Sequence, residues 1–133
     1  MIPLGGRSVA RLAACLMLLV SGVAFAGWKS VGEDGGATVY ADPDTIVRSG
    51  STVKMWSLRD YEDFQRTVEV GYFSQKMLVE YDCAERKARG LSLSLYAEHM
   101  GEGKKIYEDA SPNDWSPVPA QSVTEALWTI ACK

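Results

Sequence analysis

From Tyr72 to Cys83 the chain alternates with period 2. Met77, Val79, Tyr81 and Cys83 share one side; Lys76, Leu78, Glu80 and Asp82 share the other. A stretch patterned this way buries its apolar side only as a strand, and that strand aims Cys83 into the core. One other cysteine, Cys132, stands at the far end of the chain, and the third, Cys15, lies near its start. An inward-pointing cysteine on a strand and a second one on the last element limit how the ends of the domain can be arranged.

The segments around this strand carry the same pattern. Trp28–Gly32 and Ala37–Ala41 flank Glu33-Asp34-Gly35-Gly36, the composition of a hairpin turn. Asp42-Pro43-Asp44 reads as a second turn, because proline fixes φ and Asp42 can accept from the following backbone. Ser49-Gly50 separates 45–48 from a strand over 52–59, and the acidic, aromatic run 60–64 reads as a connection. Leu91, Leu93 and Leu95 alternate with Ser92, Ser94 and Tyr96, which predicts a sheet with one covered and one wet face. Gly101-Glu102-Gly103 turns into a last strand over 104–109, and 111–119 form an irregular, proline-rich arm around Trp115.

The period then changes. Ser122-Val123-Thr124-Glu125 is a capping box, with Ser122 as N-cap and Glu125 reaching back. Val123, Ala126, Leu127, Ile130 and Ala131 fall on one helical stripe, with Cys132 displaced toward the side of Trp128. Roughly ten residues do not hold a helix in water alone, so this one must be pinned to the sheet. The expected fold class is α+β: a mainly antiparallel sheet of about six strands with one C-terminal helix packed on one face.

The front of the chain is built differently. Arg7 and Arg11 precede an apolar core over 12–23, and Ala24-Phe25-Ala26 is a small-x-small site; this is the layout of a secretory signal peptide over 1–26, leaving a domain over 27–133. Leu12-Ala13-Ala14-Cys15 resembles a lipobox, but it precedes the apolar core instead of following it, so a lipid anchor is not expected. Without residues 1–26 the chain keeps 12 basic and 17 acidic residues, a net charge of −5. That balance lacks the basic footprint of a nucleic-acid binder. No apolar run after Trp28 approaches the ~20 residues that span a bilayer. The protein is expected to be exported, to the periplasm or beyond.

In an oxidising compartment an even pair of cysteines in a small domain reads as a disulfide. The alternatives are a buried thiol pair or a metal site, and a single histidine in the whole chain makes zinc a poor fit. A Cys83–Cys132 cross-link would remove roughly 4 kcal/mol of unfolded-state freedom in the chain-entropy account.

Catalytic sets are sparse. His99 has Glu98, Glu102 and Asp109 as its nearest acids in sequence, and beside two glycines it reads as a solvated turn residue. No serine sits in a Gly-x-Ser-x-Gly setting, and Gly101-Glu102-Gly103 lacks the third glycine and helix of a phosphate loop. The acids at 42–44 and 60–63 lack calcium-loop spacing. No catalytic residue, metal or cofactor is assigned. The cluster Arg86, Lys87, Arg89 is a local positive patch on an acidic domain and the candidate partner-binding surface, weighed against a solvated loop.

The ordered set Val39-Tyr40-Ala41-Asp42-Pro43-x-Thr45-Ile46-x-Arg48-x-Gly50, Val53-x-Met55-Trp56-x-Leu58, Tyr81-Asp82-Cys83, Trp115-x-Pro117-Val118 and Ser122-Val123-x-Glu125-x-Leu127-Trp128-x-x-Ala131-Cys132 resembles the surface-adhesin protein E family of Gram-negative bacteria. The resemblance implies an antiparallel sheet with its C-terminal helix tethered to the concave face by a Cys83–Cys132 disulfide. It also implies a binding protein, since the namesake is a surface adhesin for host matrix and serum proteins. The namesake is lipid-anchored, whereas this sequence carries an Ala-x-Ala site.

The functional expectation is an exported, non-catalytic binding protein of the cell envelope. It would recognise a macromolecule through a sheet face or edge, with an edge strand also able to form a homodimer. The second expectation is a periplasmic inhibitor or accessory protein, its charge of −5 suited to a basic enzyme such as lysozyme. Intact mass spectrometry of the exported protein is expected to show cleavage after Ala26, no lipid, and the loss of one hydrogen pair to the disulfide. A retained leader or a lipid on Cys15 would contradict this.

Overall fold

The structure, a computed structural model, describes residues 27–133; the expected leader, with Cys15, Ala24 and Ala26, lies outside the described residues. The strands are β1 (Lys29–Asp34), β2 (Ala37–Ser49), β3 (Thr52–Arg66), β4 (Gly71–Asp82), β5 (Lys87–Tyr96), β6 (Lys105–Asp109) and the short β7 (Ser116–Pro117), followed by α1 (Val123–Ala131). The first six pair in chain order, every neighbour antiparallel. β7 joins the outer edge of β5 at Lys87 and Ala88, where β6 does not reach. The expected α+β class and sheet are present, with one strand inside the arm that the sequence marks as irregular.

Local chemistry explains the turns. Gly35 and Gly36 both take positive φ (58° and 78°), the backbone that a two-residue hairpin between right-twisted strands requires. Two expected breaks are instead β-bulges inside long strands. Asp42-Pro43-Asp44 does make the predicted local bond, Asp44 N–H to Asp42 Oδ1 at 3.2 Å. The ladder nevertheless resumes at Val47 opposite Lys54, so β2 runs through the proline with its register shifted. Likewise 60–64 is not a connection: β3 skips register between Asp60 and Gln65 and continues to Arg66. Turn-forming residues predict a kink; whether the partner strand continues beyond it is a tertiary question.

α1 packs on the face that carries Val39, Ala41, Val53, Met55, Val79 and Tyr81, contacting β1, β2 and β3. Leu127 and Ala131 are its most buried residues, and Val123, Trp128 and Ile130 pack beside them. The buried stripe is therefore broad enough to include Trp128, whose indole N–H donates to the Asp82 carbonyl at 3.1 Å. Cys132 is the C-cap, its N–H still bonded to the Trp128 carbonyl, and it is disulfide-bonded to Cys83. The Ser122 hydroxyl accepts from Glu125 N–H at 3.1 Å as the capping box predicts. The Glu125 carboxylate does not reach back; it pairs with Arg86 across the molecule.

The sheet is not divided into one covered and one wet face. A bulge at β5 pairs Val79 with Gly90 instead of Leu91, and the other face buries Leu58, Ser74, Glu80 and Ser94. A 3₁₀ turn over His99–Gly101 covers Ser74 by hydrogen bonding: Met100 N–H donates to Asp60 Oδ1 and Gly101 N–H to Ser74 Oγ, each at 2.8 Å. Gly90 matters for the opposite reason, close approach. Asn113 N–H donates to its carbonyl at 2.8 Å, and a Cβ there would meet the Asn113 side chain at 2.9 Å.

Tyr81 is fully buried under α1, and its hydroxyl has no hydrogen-bond partner among the described residues. Burial pushes this phenol well above its ordinary range. An orphaned buried hydroxyl costs free energy that its ring's packing offsets, so Tyr81→Phe is expected to be neutral or to stabilise by about 1 kcal/mol in urea unfolding. The folded-state pKa is the higher one. The contribution is therefore fully present below the unfolded value near ~10 and is lost as pH rises above it. The wild-type stability should fall in that range by more than that of Tyr81→Phe. Equal slopes would mean the phenol is not desolvated.

Candidate binding surfaces

The face opposite α1 is built in cross-strand rows. Tyr40, Leu58, Lys76, Ser94 and Glu108 stand side by side on β2 to β6, and Asp42, Trp56, Leu78 and Ser92 form the next row. The bulge in β2 fixes the Trp56 backbone: Thr45 Oγ1 accepts from the Trp56 main-chain N–H at 3.0 Å while donating to the Asp42 carbonyl at 2.7 Å. Against these rows lies a hollow of about 450 Å³ that includes Trp28, Trp56, Lys76, Tyr96, Lys105 and Glu108. The Lys76 ammonium sits 4.9 Å from the Tyr96 ring centre, and Lys105 pairs with Glu108 at 3.3 Å. All three aromatics are partly exposed. A pattern of alternation alone puts Trp56 and Tyr96 on the polar side; that they converge depends on the register, which the sequence does not show.

On the helix-bearing face, α1 reaches only the Tyr81 end of β4 and leaves much of β4 and β5 uncovered. A cleft of about 330 Å³ remains there, lined by Val39, Met77, Val79, Leu127 and Pro117. Arg59 stands at its rim, paired with Asp34 at 3.0 Å. A third surface is the β3–β4 hairpin. Beyond Tyr61 and Ser74 it has no neighbouring strand among the described residues, and it carries the exposed Phe64 and Val68 toward its tip. Edge-on contacts between Tyr61 and Tyr72 (5.8 Å) and between Phe64 and Phe73 (5.2 Å) hold this ribbon together.

Arg86 lies in the β4–β5 turn, and Lys87 and Arg89 lie at the start of β5. Arg86 takes φ 55°, pairs with Glu125 and lies 5.0 Å from the Trp128 ring. Arg89 pairs with the buried Glu80 at 2.7 Å and covers Trp115 at 4.6 Å, fastening the proline-rich arm to the sheet. Lys87 is exposed. The structure thus brings the three residues together and engages two of them internally. His99 meets an acid distant in sequence, Asp60, at 3.1 Å, and its ring lies 4.4 Å from Phe73. The Ser74 hydroxyl nearby bonds the Glu98 carbonyl and Gly101 N–H, so it completes a turn. Glu33, Asp34, Asp60 and Glu62 form an acidic rim around the β1–β2 turn.

The family described as surface-adhesin protein E matches residues 28–133. Among solved structures the chain is similar to Haemophilus influenzae protein E. One structure aligns with TM-score 0.63 at 12% identity over 80% of this chain and 83% of that one. A second crystal form gives TM-score 0.66 at 12% identity over 80% and 87%. Protein E from non-typeable Haemophilus influenzae gives 0.63 at 12% identity over 80% and 75%. No curated protein matches by sequence. At such identities the structural likeness speaks for the fold alone.

The different engagement of the three basic residues has a measurable consequence. Arg89→Ala strands the carboxylate of Glu80 in a buried position, which is expected to cost about 1–3 kcal/mol in chemical unfolding. Lys87→Ala should stay within about 0.5 kcal/mol of the parent. Equal effects would show that Arg89 is as free as Lys87.

Proposed function

Because the chain belongs to the surface-adhesin protein E family, we propose that it is an exported, non-catalytic adhesin of the bacterial cell envelope that binds a host macromolecule through the helix-free face of its sheet. The observation that carries the reading is the set of partly exposed aromatics Tyr40, Trp56 and Tyr96, in three adjacent cross-strand rows of that face, beside Trp28. Tryptophan and tyrosine are the side chains that most often anchor an interface, because a large apolar surface comes with little rotamer entropy. Residues 1–26 act as the export leader and 27–133 as the binding domain. No helix among the described residues is long and apolar enough to cross a membrane. The protein works in the periplasm or at the cell surface, without a lipid anchor. The Arg86, Lys87, Arg89 cluster contributes mainly Lys87 to any contact, and the open edge of β6 is available to a second copy of the chain.

A second reading rests on a different feature. The acidic rim of Glu33, Asp34, Asp60 and Glu62 favours a basic partner, as an inhibitor or accessory of an enzyme such as lysozyme would need.

Binding to immobilised matrix and serum proteins is expected to be saturable. Trp56→Ala and Lys76→Ala should weaken it by about tenfold or more, with the melting profile used to confirm folding. Absence of binding across the panel, together with loss of lysozyme activity at excess protein, would favour the second reading. Undiminished binding by both variants would move the site away from this face.

A further inference from the structure

The hollow on the helix-free face has a chemistry of its own. Its aromatic part is Trp28, Trp56 and Tyr96; its charged part is Lys76 and Lys105 against Asp42 and Glu108. The formal charges cancel. A polyanion would meet the two carboxylates and a polycation the two ammonium groups, so net charge gives neither an advantage. A purely apolar occupant fares no better, since it would strip water from four charged groups and return no hydrogen bonds. What fits is a neutral ligand with one apolar face and a rim of groups that both donate and accept.

We propose that this hollow is a subsite for a neutral oligosaccharide, the pyranose C–H face lying on the indoles of Trp28 and Trp56 and its hydroxyls meeting Lys76, Lys105, Asp42 and Glu108. A sugar hydroxyl donates to a carboxylate and accepts from an ammonium, so a single ring can satisfy charges of both signs. At about 450 Å³ the hollow falls within the range of small-molecule sites. It is partly preorganised: Thr45 holds the Trp56 backbone at the β2 bulge, and Lys76 is already drawn over Tyr96 at 4.9 Å. With Lys76 so placed, its side chain loses less rotamer freedom on binding. The inference rests on the reading of this face as the adhesive surface and names the part of a host glycoprotein that it would take.

The test uses the exported protein and three free probes: chitotriose, N-acetyllactosamine and a sulfated heparin oligosaccharide. The chain has four tryptophans, so each indole N–H gives its own resonance. With either neutral sugar, the signals of Trp28 and Trp56 are expected to shift saturably while those of Trp115 and Trp128 stay fixed. Trp28→Ala, at the start of the described chain, should weaken the neutral sugar by about tenfold or more without lowering the melting temperature. No shift of Trp28 and Trp56 with either neutral sugar overturns the proposal, as does a response to heparin alone or a shift shared by all four indoles. Binding to a matrix glycoprotein before and after enzymatic removal of its glycans separates this from the broader reading. Adhesion that survives deglycosylation overturns the sugar site and leaves the adhesin intact; adhesion to neither form overturns the adhesin.

Discussion

The joint between α1 and β4 is the constraint on which the rest of the molecule depends. A nine-residue helix has too few turns to persist in water, and this one lies across β1 to β3 and reaches only the end of β4. Its place is fixed by the Cys83–Cys132 bond, by Trp128 Nε1 on the Asp82 carbonyl, and by Leu127 and Ala131 against Tyr81 and its neighbours. A cross-link spanning 49 residues contributes roughly 4 kcal/mol by the chain-entropy account, a large part of the 5–15 kcal/mol typical of a domain. The wide sheet can exist as one layer because this small, covalently held lid buries the apolar face where it is most apolar.

A lid of that size leaves the far strands to be covered by other means. The proline-rich arm does so through β7 on Lys87 and Ala88, Asn113 N–H on Gly90, and Trp115 under Arg89. Arg89 can lie there because Glu80, on the adjacent strand, holds its guanidinium. A charged pair on the sheet thus fastens the arm that closes its apolar edge. The residues that look like a basic binding patch in the sequence are in large part fasteners.

Strand identity, the helix and its cap, and the inward aim of Cys83 were legible because each follows from a period or a local hydrogen bond. The Asp42 side chain makes the bond its sequence predicts. What alternation could not reveal was register. The bulges at 42–47, 60–65 and 78–79 shift which residues meet across strands without altering any local preference. The same blindness hid the partners of His99 and Arg89, Asp60 and Glu80, which a loop and a strand pairing bring near. It also hid the aromatic hollow, whose members come from Trp28 just before β1 and from β2 through β6.

Those bulges tie the fold to the surface it presents. A regular sheet this wide would have carried one apolar and one polar face to its edges. Here the β2 bulge turns Thr45 onto the Trp56 backbone, and the 3₁₀ turn after β5 closes over Leu58 and Ser74. The helix-free face is divided into a sealed end, where Asp60 and Ser74 hold backbone N–H groups, and an open end lined by aromatics. Opposite charges beside the open end keep it wetted, so partly exposed rings persist there without forming a large apolar patch. The same irregularities that make the register unreadable from the sequence therefore separate the part of the face that stabilises the domain from the part left free to bind.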